Sequence, residues 1–324
     1  MASQNYIQHI VEQLNVVTAK CGPIQIFGEN INYGSCIGGL ARGLTVNDQG
    51  RIFNVGNCEL THVGVGLGVL LDGGQAALFG KQLDFIVLGL EQACDTFNFI
   101  RAYRDKSTWG SFTIFVIVCD QGYQGPQSSM NAAGDFASLV NIPVYCLNAK
   151  ADVEQVIGHH FASPGFRIIC VSQQFFTAAP MAEPAQWVAA DQSLFQYATG
   201  GDVTIVSFNF SLRKALHLTG QLAAAGAASD LFMANFVPGM DLEPVLASLE
   251  KTRRLILLDD SKTVTKAGDA IVTIARMHKI PFEVMSICRR GCPDPDYGVN
   301  ADEFSFEVEP VLAFVQDTPA AIPK

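Results

Sequence analysis

One acid in this chain stands where it could do proton chemistry. It lies in Asn57-Cys58-Glu59-Leu60-Thr61-His62, just ahead of the glycine-studded run Val63-Gly64-Val65-Gly66-Leu67-Gly68. The run reads as a buried helix whose glycines let another backbone approach closely. Glu59 then falls at the helix N-terminus, where partial positive charge favours a carboxylate. Such a carboxylate can act as a general acid or base, or it can simply cap the helix. A second acid pattern, Gly28-Glu29-Asn30, ends the strand-like run Ile24-Gln25-Ile26-Phe27. Open parallel sheets bind ligands at that carboxyl end.

The elements that must position these groups alternate along the chain. A helix with one apolar face is expected over 4–20, then strands at Ile24–Phe27, 52–55, 75–79, 112–118, 144–147 and 167–172. Helices are expected over 84–104, 132–140 and 152–162, and residues 31–44 read as a Gly-rich loop with a short helix. Alternation of this kind predicts a parallel sheet covered on both faces. Residues 179–200 hold Pro180 and Pro184 and lead to Gly200-Gly201, which reads as a linker. The alternation restarts at Val203. The reading is therefore α/β throughout: a first domain over 1–178, the linker, and a smaller α/β domain over 201–324.

Composition excludes some classes of function. The 324 residues are 49% hydrophobic and 16% charged, with mean hydropathy +0.23, so the excess apolar surface points to a subunit interface. Net charge is −10 and no basic patch marks a nucleic-acid binder. No apolar run has membrane-span length. Nine scattered cysteines suit reduced thiols in the cytoplasm, and Cys288 with Cys292 makes no zinc pattern. The first residues show no signal-peptide pattern. There is no P-loop, and the glycines at 64–68 lie inside an apolar helix rather than between a strand and a helix.

Taken in order, several motifs resemble one family: the beta subunits of thiamine-diphosphate-dependent 2-oxoacid dehydrogenases, and with them the small subunits of split transketolases. Ile26-Phe27-Gly28-Glu29-Asn30 is similar to the family's strand ending in Gly-Glu-Asp. Asn57-Cys58-Glu59-Leu60 resembles its Ile-Ala-Glu before a small-residue helix. Gln82-Leu83-Asp84-Phe85, followed by Glu91-Gln92-Ala93, resembles Phe-x-Asp-Phe then Asp-Gln-Ile. Asn141-Ile142-Pro143, Gly201–Val206 and Lys251–Ile256 continue the series.

The resemblance implies a thiamine-diphosphate pyrimidine-binding domain followed by a transketolase C-terminal domain. It implies that Glu59 shares a proton with a ring nitrogen of the cofactor's aminopyrimidine and so activates the cofactor. Glu29, Asn30 and Phe85 become cofactor-binding candidates, Phe85 as an aromatic wall or else a core residue. The reaction would make or break a carbon–carbon bond beside a carbonyl, by 2-oxoacid decarboxylation or by ketol or acyl transfer. The enzyme would be a transferase or oxidoreductase.

Two departures qualify it. The family's loop after the central strand carries paired histidines, whereas residues 120–131 contain none; Gln127 or Asn131 is left as a hydrogen-bond donor there. This tilts the reading away from lipoamide-linked chemistry. Secondly, Gly268-Asp269-Ala270 does not make the family's diphosphate and magnesium motif. The chain should then need an alpha-type partner that holds Mg2+ and the diphosphate, in an alpha2beta2 heterotetramer. The alternative is a catalytically silent scaffold of the same fold.

Overall fold

The computed structural model describes residues 4–121, 128–289 and 304–317. The chain runs α1 (Tyr6–Thr18), β1 (Ile24–Gly28), β2 (Arg51–Asn54), α2 (Glu59–Leu71), β3 (Gln75–Gly80), α3 (Leu83–Ile86), α4 (Phe97–Tyr103) and β4 (Ser111–Val118). It continues through α5 (Ala133–Val140), β5 (Val144–Leu147), α6 (Lys150–His160) and β6 (Gly165–Ser172). These strands form one six-stranded sheet in the order β2-β1-β3-β4-β6-β5, with every pair parallel. Every residue of β4 is buried, as a central strand covered on both faces requires.

The second sheet is built from β7 (Trp187–Val188), β8 (Leu194–Ala198), β9 (Val203–Phe208), β10 (Ser229–Ala234), β11 (Arg254–Asp259) and β12 (Glu283–Cys288), in the order β12-β11-β9-β10-β8-β7. Helices α7 (Leu212–Ala224), α8 (Glu243–Thr252), α9 (Gly268–Met277) and α10 (Glu309–Gln316) complete it. β9 to β12 are parallel, while β8 runs antiparallel to β10 and β7 antiparallel to β8. The mixed α/β fold with two sheets is the one expected.

Two local expectations differ. Residues 179–200, read as a linker, contribute β7 and β8 to the second sheet. The prolines and glycines that signalled a linker flank these strands rather than interrupt them. The amphipathic helix expected over 84–104 runs without a coil break from Leu83 to Tyr103, but its winding changes: a 3₁₀ turn at Val87–Gly89 and a π turn at Gln92–Thr96 separate α3 from α4. Gly89 lies where it does because a Cβ there would meet Val63 Cγ2 at 2.5 Å and the Glu59 carbonyl at 3.2 Å. The segment follows the surface of α2 at that point, and a regular helix does not. Periodicity reports only which face is apolar, and it is blind to this contact.

α2 is pinned to the sheet in the same manner. Gly66 faces β4, and a Cβ on it would lie 2.2 Å from the Phe112 ring. Gly66 thus lets α2 lie close on the sheet, whereas Gly64 faces the Gln92 side chain and Gly68 open space. Among the described residues no helix is long and apolar enough to cross a membrane.

The two sheets meet at a buried polar junction. Asn209 Nδ2 donates to Asn131 Oδ1 at 2.6 Å and to Asp260 Oδ1 at 2.9 Å. Asn131 Nδ2 donates to the Asp260 carbonyl at 2.9 Å, and Asn235 Oδ1 accepts from the Cys146 N–H at 2.8 Å. Buried polar groups need such partners, so the junction specifies one docking geometry.

Candidate active site

Glu59 is the first residue of α2, with Cys58 at the N-cap. Its side chain is 9% exposed. It does not serve as a side-chain cap: its partner is Asn57, whose amide nitrogen donates to Glu59 Oε2 at 3.2 Å and to Glu29 Oε1 at 3.0 Å. The Asn57 amide is assigned with its nitrogen toward both acids, since the opposite orientation would set its oxygen against two acceptors. Glu29 follows β1 directly, so the carboxyl end of β1 and the start of α2 are tied through one side chain.

A small cleft opens beside this group. Glu29, Glu59, His62, Gly80, Lys81 and Phe85 contribute to its lining, and its free volume is about 20 Å3. Lining residues 78–80 are the carboxyl end of β3, where an open parallel sheet places its ligands. Phe85, on α3, is half-buried. His62 lies one turn into α2, 7% exposed, with its ring edge-on to Phe27 at 6.3 Å between centroids.

The structure therefore brings together Glu29, Glu59 and Phe85. It does not bring in Asn30, which is exposed and left-handed (φ 53°), and which is absent from the cleft lining. Gln127 lies outside the described residues. Asn131, considered as a donor toward the site, is fully buried and committed to Asp260 and Asn209. Its amide serves the domain junction.

Asn57 carried no signal at the level of sequence: an isolated asparagine before a helix reads as a cap or a turn. Asp84 was also missed. Its Oδ1 accepts the Ser129 and Met130 N–H groups at 3.0 and 2.9 Å, and Gln82 Oε1 accepts from Ser128 Oγ at 2.8 Å. The motif around Phe85 thus also fastens the loop that follows β4. Burial raises the Asp84 carboxyl above its usual range, and the two N–H bonds oppose that rise.

On the outer side of α2, Cys58 is exposed, and its thiol is 3.0 Å from Thr61 Oγ1. That hydrogen bond lowers the thiol below the ordinary cysteine range. Beside it lies an open apolar hollow of about 410 Å3 bounded by Phe27, Phe53, Val55 and Val65.

The residues present fit one edge of a heteroaromatic ring. They supply an acid at a helix N-terminus, an amide that holds it, and an aromatic side chain beside it. The free volume is that of about one water, so a ring would rest at the mouth and need a further wall. Among the described residues, no cluster of three or more His, Cys, Asp or Glu side chains is placed to hold a metal ion.

No family model matches the chain. It is 26% identical over 129 residues to the pyruvate dehydrogenase E1 component subunit beta of Rhizobium meliloti (strain 1021). That match spans 39% of this chain and 27% of that protein. Among solved structures it superposes on a split gene transketolase, an inactive beta4 tetramer, with a TM-score of 0.66. The superposition covers 95% of this chain and 96% of that one at 16% identity. The fold is transketolase-like. The likeness runs over both sheets, and the motif-based resemblance to E1 beta and split transketolase subunits is met by both comparisons.

Proposed function

We propose that this chain is the pyrimidine-binding half of a heteromeric thiamine-diphosphate enzyme that makes or breaks carbon–carbon bonds beside a carbonyl. The observation that carries the reading is the cluster Glu59–Asn57–Glu29 opening on a cleft with Phe85. Bound thiamine diphosphate supplies the carbanion-stabilising chemistry. Glu59 holds and returns a proton at its carboxylate, facing a ring nitrogen at the cleft mouth. Asn57 occupies Oε2 and so leaves Oε1 for that proton. Glu59 opens α2, at the positive end of the helix dipole. Phe85 shields one face of the ring from water.

The diphosphate and Mg2+ belong to an alpha-type partner in this reading, in an alpha2beta2 assembly in the cytoplasm. The small cleft of the single chain supports that division, because a second wall is needed. The lack of histidine in residues 120–131 supports ketol or acyl transfer over lipoamide-linked oxidation. The test is Glu59→Gln assayed with the partner chain and cofactor; unchanged turnover would remove Glu59 from the mechanism.

A second reading is a silent scaffold. It is supported by that missing histidine and by the structural relative's being an inactive tetramer. Titration of thiamine diphosphate against the two-chain complex separates the readings, since a scaffold binds none.

A further inference from the structure

The edge of the first sheet opposite the Glu59 cleft carries a second hollow, of about 300 Å3. It lies at the N-terminal ends of β4, β5 and β6, beside α4. Phe97 and Trp109, with ring centroids 5.6 Å apart, form part of its wall. Three cationic side chains line it, Arg101, Lys106 and Arg167, together with His160, whose imidazole is held below its usual range by burial and by Arg167 and whose Nε2 meets Gln192 Oε1 at 2.7 Å. Among the described residues no Asp or Glu lines it, although the chain's net charge is −10.

None of the four forms an ion pair with a carboxylate among the described residues. Arg167 is only 4% exposed, yet its four partners are neutral oxygens: Ser111 Oγ, Thr113 Oγ1 and the carbonyls of His160 and Pro164, at 2.6 to 3.2 Å. Among the described residues Arg101 donates to the carbonyls of Val140 and Asn141 alone. Asp105, next to Lys106 in the chain, accepts the Ser107 N–H, and Asp191 accepts from the Ser193 N–H and hydroxyl. A buried charge is ordinarily balanced by an opposite one, and here that balance is missing. Trp109 Nε1 is a further buried donor with no acceptor among the described residues. The unbalanced charges of Arg101, Lys106 and Arg167 favour an anion, and the indole N–H needs an acceptor.

We propose that this hollow binds a small ring-bearing phosphomonoester. The phosphate sits on Arg101 and Lys106 in the field of Arg167, and the ring lies against Phe97 and Trp109. A phosphate dianion carries about −1.5 to −2 charge, which several cations can share; a single carboxylate would balance only one. The volume is at the lower end for small-molecule sites, enough for one ring and its phosphate. The site is independent of Glu59 and of the cofactor reading.

The test uses the full chain carrying Trp187→Phe, which leaves Trp109 as the only tryptophan of the original two. AMP should change Trp109 emission saturably, while adenosine and inorganic phosphate should each bind at least about tenfold more weakly, 1.4 kcal/mol. Arg101→Gln and Lys106→Gln should each weaken AMP by about tenfold. Arg101→Lys should recover part of the loss. A thermal melt confirms that each variant is folded, and Lys106, being exposed, decides the matter if Arg101→Gln is not. Three outcomes overturn the proposal: no response to millimolar AMP, equal affinity for AMP and adenosine, or undiminished binding in the folded Lys106→Gln variant. AMP binding no tighter than inorganic phosphate overturns the ring's part in it.

Discussion

Glu29 and Glu59 come from different elements but share one donor, the Asn57 amide, at 3.0 and 3.2 Å. The amide holds two carboxylates that would otherwise repel and fixes the rotamer of the one at the start of α2. Asn57→Ala should therefore leave the fold intact while loosening Glu59. With the partner chain and thiamine diphosphate present, we expect a loss of about tenfold in turnover, one charge-assisted hydrogen bond's worth. Steady-state kinetics beside a thermal melt check this; unaltered kinetics would mean that Asn57 does not position Glu59.

Glu59→Gln removes the proton-exchanging group but keeps its shape. The loss should be larger, about 10² to 10⁴ in turnover, as for a general acid–base residue. Cofactor affinity should change less. Calorimetric titration of the two-chain complex with thiamine diphosphate separates the two effects.

Gly66→Ala probes the seat of α2. The added Cβ would overlap the Phe112 ring at 2.2 Å, and Phe112 is fully buried in the central strand. Overpacking of this kind costs about 1–3 kcal/mol. A urea denaturation midpoint should fall accordingly. Gly68→Ala makes a control, because a Cβ there meets nothing within 4 Å.

Three buried acids set a pH dependence. Burial pushes Asp120 up to about 6 and Asp152 up to about 7, and burial together with the Asp120 and Asp259 charges pushes Asp260 up to about 7. In the unfolded chain these groups titrate near 3.9. Between roughly pH 4 and pH 7 the folded state therefore binds more protons than the unfolded one. Their contribution makes stability fall as pH rises through that window; below pH 4 it adds no slope. Asp152→Asn should flatten the slope, since the amide never charges. Midpoints of denaturation between pH 4 and pH 8 measure it, and an unchanged slope would exclude Asp152.

Asn209→Gly tests the junction between the sheets. Asn209 is left-handed (φ 58°), so glycine keeps the backbone and removes only the amide. Asn131 and Asp260 each lose a buried donor. The cost should be about 1–3 kcal/mol, read as a lower denaturation midpoint.

Much of this was legible in the residues alone. Alternating apolar runs with the right lengths determined two α/β units, because a buried parallel strand and an amphipathic helix leave different periods in a sequence. Glu59 stood out because an acid before an apolar glycine run is costly unless the helix end or a ligand uses it. What residue types and spacing do not carry is which distant side chains meet. Asn57 reaching Glu29, Gly89 pressing on the first turn of α2, and Asn131 turned toward Asp260 all depend on how elements pack, and each contact joins segments whose separation carries no periodic signal. The uneven winding of helix 84–104 and the two strands inside 179–200 have the same origin: close packing overrode local pattern. The acid-free basic hollow likewise exists only where α4 and the N-terminal ends of β4, β5 and β6 converge.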